Sequence, residues 1–455
     1  MSNELILTEK ILSFSNKDIS SFHALPISKA YYKDYKNNKY IDELHNLVGE
    51  DYLKNEITYN WIDNPVFPHG ILQESENQTA QAFNVDKSLY VTTGTTTSNQ
   101  IAIFSLLRDG GHVLVDRTCH QSVHFALSLM NIDIEYMPLC KDKNELNRPF
   151  TDLNSAKEMY KKSYDKGNPF DMVIINASSY EGVVYKNNEF INDCLKIDSN
   201  TTFMVDEAWI AFALFSKSTK NLTILNNIQS LHKNYPNANF VVTQSAHKSI
   251  RSLRQGSYIH LVGNEQFLKT VCDGKYQYDT TSPSFPILAS LEIARQDMVE
   301  NGEKCISKSI KLANMLKECL HSLKNFSYLQ KLNSDVYLDP LKVIVKFNNK
   351  AITIDEIRKK LKNNEIYISR YGENYFLVNM HIGVCEKDVK KLIDLLKNID
   401  SNLMQKSDEH ISDKYVIPYP PGVPIVMPGD KITKDVQDQI QLCKNSNINL
   451  ITVKG

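Results

Sequence analysis

From residue 89 onward the chain alternates short apolar runs with longer stretches in which apolar positions recur every three or four residues. The runs at residues 89–92, 112–115, 134–137, 172–175, 203–205 and 240–243 have the length of buried strands. Several are continuously apolar, as strands are when helices cover both faces of a sheet. The segments between them carry the helical period, so the pattern predicts βαβ units and a parallel sheet. After Ser282-Pro283-Ser284, the positions Ile287, Leu288, Leu291 and Ile293 open a long helix that runs past Gly302 to about residue 323. Strand-like runs at 343–347, 366–369 and 375–380, with a helix near 354–361, then predict a smaller α+β domain. Tyr419-Pro420-Pro421-Gly422-Val423-Pro424 is neither regular helix nor central strand, because proline fixes φ and lacks a donor. A last helix and a strand at 449–453 close the chain. The polar, aromatic start (Tyr31, Tyr32, Tyr35, Tyr40, Trp61) looks like an arm. The expected division is an arm at 1–65, a large domain at 66–300 and a small domain at 301–455.

Length and charge narrow the classes. At 455 residues the chain suits two or three domains, and 42% hydrophobic against 23% charged residues is ordinary for a globular chain. Lys and Arg total 52 against 53 Asp and Glu, which leaves no basic excess for nucleic acid. No apolar run approaches the ~20 residues of a membrane span, and Met1-Ser2-Asn3-Glu4-Leu5 lacks the layout of a signal peptide. A cytoplasmic enzyme is expected. The eight cysteines are scattered without a C-x-x-C pair, so reduced thiols are expected, with Cys119 the one closest to a motif.

Ligands of open parallel sheets bind beyond the carboxyl ends of the strands, so the residues that follow each run carry the functional reading. The first run leads into Gly94-Thr95-Thr96-Thr97-Ser98-Asn99 at the start of a helix. Free N–H groups, the helix dipole and the hydroxyls suit an anion there, although ordinary N-capping explains the same residues taken alone. The run at 112–115 leads to Cys119 and His120, which opens another helix as a cap or as an aromatic ligand contact. The run at 172–175 ends in Asn176, Ser178, Ser179 and Tyr180. Asp206-Glu207-Ala208-Trp209 follows the run at 203–205, offering a carboxylate that could cap a helix or meet a ligand's ring nitrogen. A metal ranks last, because no His/Asp set has ligand spacing. Gln244-Ser245-Ala246-His247-Lys248-Ser249 follows the run at 240–243. A lone lysine ordinarily reaches solvent, but here its amine would enter a cleft, where desolvation favours Schiff-base chemistry. An anion cradle, a carboxylate, a lysine and an imidazole in one cleft are the four things pyridoxal phosphate needs.

These residues also carry a resemblance. The chain resembles the bacterial ornithine/lysine/arginine decarboxylases, which are fold-type-I (aspartate-aminotransferase-like) pyridoxal phosphate enzymes, from Gly70 to about Asp430. The matching pieces are Val115-Asp116-Arg117 with His120-Gln121-Ser122-Val123, Val205-Asp206-Glu207-Ala208-Trp209, and Ser245-Ala246-His247-Lys248. Thr281-Ser282-Pro283-Ser284, Ile287-Leu288-Ala289-Ser290-Leu291, Tyr419-Pro420-Pro421-Gly422 and Pro428-Gly429 match as well. The resemblance implies an α/β fold with a large cofactor domain and a small α+β C-terminal domain. It implies Lys248 as the Schiff-base lysine, Asp206 as partner of the pyridinium nitrogen and His120 stacked on the ring. Thr95, Thr96, Ser245 and His247 would meet the phosphate, Trp209 would lie beside it, and His247 or Lys248 would return the proton. It further implies a homodimer or larger homo-oligomer in the cytoplasm, with the segment at Ser282 reaching a neighbouring subunit's active site.

The departures from the family pattern bear on the reaction. The chain reads as a short form without the N-terminal wing domain of large members. Phe22-His23-Ala24-Leu25-Pro26 stands where the family has Phe-His-x-Pro-Gly-His, and Asp430 replaces a glutamate. Ile368-Ser369-Arg370-Tyr371-Gly372 stands where the family has Val-Glu-Lys. The leading expectation is decarboxylation of arginine, lysine or ornithine to the amine and CO2, with Ser179 and Arg370 as candidate substrate contacts and no metal. An arginine clamping the α-carboxylate would oppose its loss and favour transamination, oxidation or a mutase reaction instead. A catalytically silent relative is a third alternative, against which the retained Lys248 and Asp206 stand.

Overall fold

The computed structural model describes residues 5–29, 38–57, 60–140, 146, 148–332, 336–348, 350–408 and 411–455. Tyr31, Tyr32 and Tyr35 of the expected arm lie outside them. Fourteen strands are found among the described residues. They are β1 (Lys87–Val91), β2 (His112–Val115), β3 (Asp133–Tyr136), β4 (Met172–Asn176), β5 (Val183–Tyr185), β6 (Thr202–Asp206), β7 (Asn239–Gln244), β8 (Ser257–Val262), β9 (Phe326–Tyr328), β10 (Val336–Leu338), β11 (Lys342–Phe347), β12 (Tyr375–Asn379), β13 (Lys414–Tyr419) and β14 (Asn449–Lys454). Chain contacts divide into two units: residues 1–313, 330–342 and 379–383, and residues 314–329, 343–378 and 384–455.

The first unit is built on a seven-stranded sheet in the order β1-β8-β7-β6-β4-β2-β3. Six strands run in one direction; β8 alone is antiparallel to both its neighbours, β1 and β7. The mostly parallel sheet expected for the large domain is borne out; β8 itself, Ser257-Tyr258-Ile259-His260-Leu261-Val262, was not among the expected strands, and its sequence looks no different from that of a parallel strand. Side chains along each strand alternate between two apolar cores, as a pleat of period two requires. Val173, Ile175, Phe203, Val205, Phe240 and Val242 enter one core. Met172, Ile174, Met204 and Val241 enter the other, against Ile101, Ala102 and Ile103 of the helix Thr95–Leu106.

The register sets up the site. Asn176 pairs with Asp206, and Asp206 with Thr243, so three polar residues share one rung where the apolar strands end.

The start of the chain holds the helices Ile6–Ser15, Lys39–Val48 and Glu50–Asn55. Buried Glu292 accepts from the Leu7 and Thr8 N–H groups, at 3.0 and 2.8 Å, and so satisfies the open end of the first helix. Leu7, Ile11, Leu53, Ile57 and Ile62 of the expected arm are buried, and its residues cluster with the first unit. The long helix spans Phe285–His321, and the contact division changes at residue 314 rather than 301.

The second unit holds a three-stranded sheet in the order β12-β11-β9, the helices Ile354–Asn363 and Glu386–Asp408, and the β13–β14 pair with the helix Lys434–Asn445. Residues 366–369, expected as a strand, form none; a single bridge joins Tyr371 to Phe376. No helix among the described residues is long and apolar enough to cross a membrane.

Candidate active site

The carboxyl ends of β4, β6 and β7 and the start of the helix Thr95–Leu106 surround a cleft of about 1060 Å3 within the first unit. Thr95, Thr96, His120, Ser179, Asp206, Trp209, Ser245, His247 and Lys248, all singled out from the sequence, line it together.

Its anion end is made of backbone and hydroxyls. Gly94 caps the helix with φ 88°, a conformation that side-chain-bearing residues rarely adopt. A Cβ built there would have no described atom within 4 Å, so space lies open before the free N–H groups. The Thr95 hydroxyl is 2.5 Å from that of Ser245 and 2.8 Å from that of Ser257. Ser257 donates in turn to the Gln244 carbonyl. His247 directs Nδ1 at the Gly256 carbonyl at 3.0 Å, which leaves Nε2 as its acceptor, and burial lowers its pKa.

Asp206 is buried at 4% exposure. It accepts from Asn99 Nδ2 at 2.9 Å and from the Ala208 N–H at 3.0 Å. Thr243 donates to Asn99 Oδ1 at 2.7 Å, which fixes the amide's orientation and hence the donor it aims at Asp206. Asn99 also donates to the Ser122 hydroxyl, whose residue holds His120. Ser122 N–H reaches His120 Nδ1 at 3.2 Å and its hydroxyl lies at 2.9 Å, so the neutral ring carries its proton on Nε2. Partial burial lowers the His120 pKa, with Asp206 opposing.

Lys248 lies on the short helix Ala246–Ser249 after β7. Burial lowers its pKa, again against the pull of Asp206. Its Nζ stands 4.1 Å from the centre of the Trp209 ring, which packs edge-on against Tyr180 at 4.7 Å. An amine whose hold on its proton is weakened by burial, in one cleft with an aromatic wall and a fixed carboxylate, suits carbonyl addition.

Some site residues escaped the sequence reading. Asn99 is one helical turn beyond Thr95, a spacing that puts both on one face. Ser257 lies on the reversed strand. Glu181 directly follows Tyr180 in the turn after β4 and lines the cleft. Lys342, in Asp339-Pro340-Leu341-Lys342, places Nζ over Trp209 and Tyr180 at 4.9 and 5.2 Å. Cys119 is buried and its thiol is pushed well up by burial, so it is a poor nucleophile. Arg370 belongs to the second unit, where its carbonyl accepts from the Leu377 N–H.

Comparison with known proteins adds to this geometry. Residues 7–350 match the major domain of the Orn/Lys/Arg decarboxylases, and residues 390–448 match their C-terminal domain. An uncharacterised Bacillus subtilis protein, YaaO, is 24% identical over 82% of each chain. An arginine decarboxylase of Bacillus anthracis is 24% identical over 96% of this chain and 92% of its own length. The crystal structure of a lysine decarboxylase from Francisella novicida superposes with a TM-score of 0.76 at 19% identity, covering 100% of this chain and 82% of that one.

Proposed function

We propose that this chain, which belongs to the Orn/Lys/Arg decarboxylase family, removes the α-carboxylate of arginine, lysine or ornithine to give the amine and CO2. It is a decarboxylase of fold type I, and its cofactor is pyridoxal phosphate. The observation that carries the reading is the Lys248 amine, lowered in pKa by burial, in one cleft with Asp206 and the open cradle at Gly94.

The residues fit the cofactor. The Gly94–Thr95 helix start with Thr96, Ser245 and His247 would hold its phosphate. Lys248 would take its aldehyde, Asp206 its ring nitrogen, and His120 one ring face. When bound, pyridoxal phosphate supplies a protonated ring that accepts the electron pair left behind by departing CO2.

The protein's part is electrostatic and steric. Asp206, braced by Asn99 and Ala208, would favour a proton on the cofactor's ring nitrogen by the attraction of opposite charges. Trp209 and Tyr180 exclude water on the side of Lys248, and a dry wall favours loss of a charged carboxylate. Lys248, or His247 beside it, returns a proton to the α-carbon. The same reading takes the protein to be a cytoplasmic homodimer or larger homo-oligomer with the active site near the subunit interface. Ser179, which lines the cleft, remains a proposed substrate contact carried from the sequence.

The test is incubation of cofactor-loaded protein with a panel of amino acids, with CO2, amine, keto acid and hydrogen peroxide measured together. Amine and CO2 in equal amounts from a basic amino acid are expected. Keto acid or peroxide without CO2 would replace decarboxylation by transamination or oxidation.

A further inference from the structure

We infer that Glu181 selects the substrate by receiving the cationic end of its side chain, and that Arg148 is the cation it gives up in exchange. The inference rests on the decarboxylase reading and names the residue behind its substrate class.

Among the described residues, the charged groups lining the cleft point to the carboxylate that would meet a substrate. Asp206 and Glu181 are the carboxylates that line it. Asp206 is held by Asn99 and Ala208 at the end of β6, and on the decarboxylase reading it would meet the ring nitrogen. Glu181 lines the same cleft as Trp209 and Tyr180. Lys248 Nζ lies 4.1 Å from the Trp209 centre, and Tyr180, the residue before Glu181, stands edge-on to that ring. An amine, an aromatic wall and a second carboxylate lining one cleft complement an amino acid whose methylene stem ends in a cation.

Glu181 is also held in place. It sits in a turn closed by Gly182 N–H to the Ser179 carbonyl at 3.0 Å and Ser179 N–H to the Val183 carbonyl at 2.9 Å. The Ser179 hydroxyl accepts from the Val183 N–H at 3.2 Å, so Ser179 shapes the turn. Gly182 has φ 87°, and a Cβ on it would stand 2.5 Å from Lys342 Cγ. That close approach lets the buried Lys342 run beneath the turn and donate to the Tyr180 carbonyl at 3.3 Å. Lys342 is thus a positioning residue for the wall and the carboxylate.

The ion pair with Arg148 is lopsided, and the asymmetry points to exchange. Arg148 Nε lies 3.5 Å from Glu181 Oε1, with the arginine side chain 44% exposed and the glutamate side chain 7%. A buried carboxylate is costly to strip of its cation, whereas an exposed arginine loses little by swinging into water. A substrate's ammonium or guanidinium that replaces Arg148 keeps Glu181 compensated throughout.

The experiment uses cofactor-loaded protein and two product-like probes, 1,5-diaminopentane and pentylamine, with dissociation constants from calorimetry. The second ammonium is the sole difference that Glu181 would read. Wild type is expected to bind the diamine roughly tenfold more tightly, the range of one charge-assisted hydrogen bond. Glu181→Gln should bring the ratio to about one while pentylamine affinity holds, which also reports an intact fold. Arg148→Ala should tighten diamine binding by removing the competitor. If Glu181→Gln does not fold, Glu181→Asp serves, since its shorter side chain should shift preference from 1,4-diaminobutane towards the longer diamine. An unchanged ratio in Glu181→Gln, or unchanged diamine preference in Glu181→Asp, would overturn the inference. Failure of the underlying reading looks different: the diamine ratio responds as expected, but no basic amino acid yields CO2.

Discussion

At the end of β6 two neighbouring carboxylates leave the sheet on opposite faces. Asp206 follows Met204 in the pleat and faces the core that contains the helix Thr95–Leu106, whose Asn99 donates to it. Glu207 turns the other way. It is completely buried and accepts from the Thr223 hydroxyl, the Ile224 N–H and Gln244 Nε2, with none of the cleft around it. Burial pushes its pKa up to about 7 despite those donors. The two residues share a motif and a strand end, and the pleat alone assigns one to chemistry and the other to structure. A carboxylate next to a site residue in sequence is therefore not a site residue by adjacency.

The largest effect that bears on this contrast is expected on the reaction face. Lys248→Ala should remove the visible absorption of the cofactor-loaded protein and lower turnover by roughly a thousandfold or more, since it deletes the nucleophile. Asp206→Asn should cost turnover on the order of a hundredfold or more, the scale of a lost electrostatic partner. Glu207→Gln should change turnover by no more than about threefold. Equal losses in Asp206→Asn and Glu207→Gln, measured by amine production, would erase the distinction between the faces.

On the structural face the signature is pH. The folded pKa of Glu207, about 7, lies above the ordinary glutamate value of 4.5, so the folded state binds this proton more tightly than the unfolded chain. Its protonated form is the compatible one, and stability falls as pH rises from about 4.5 to about 7. The loss from this group is on the order of 3 kcal/mol, one pKa difference being about 1.4 kcal/mol per unit. Urea midpoints between pH 5 and 8 should show a shallower decline in Glu207→Gln than in wild type. A smaller effect belongs to the phosphate end. Ser257→Ala removes one hydroxyl from the Thr95–Ser245–Ser257 chain and should weaken cofactor binding roughly fivefold, measured by titration of the absorption band.

How much of this was legible in the sequence follows from what is local. The apolar runs marked β1, β2, β4, β6 and β7 within a residue or two, because a buried strand leaves an apolar signature, and the exposed edge strand β3, Asp133-Ile134-Glu135-Tyr136, was marked within a residue as well. Residues at their carboxyl ends were legible for the same reason: Asp206, Ser245 and Lys248 sit where a local pattern stops. The direction of β8 was hidden, since strand sense depends on pairing partners and not on composition. Asn99, Ser257 and Lys342 were hidden because each acts through a neighbour brought from a distant part of the chain. Glu181 sits in a turn whose purpose shows only when Lys342 passes beneath Gly182. The strand expected at 366–369 failed for a related reason: an Ile-Tyr-Ile run pairs with nothing beyond the Tyr371–Phe376 bridge.

The claim at the centre is that the Asp206 face is the reaction face and that Lys248 is its amine. Lys342 makes a demanding control, because it is also buried with a lowered pKa and also overhangs Trp209. The direct measurement is borohydride reduction of the cofactor-loaded protein, followed by proteolysis and mass mapping of the pyridoxyl group. The expected result is one pyridoxyl mass on the peptide that contains Lys248 and none on the peptide that contains Lys342. A label on Lys342, or no label on either lysine, would contradict the account.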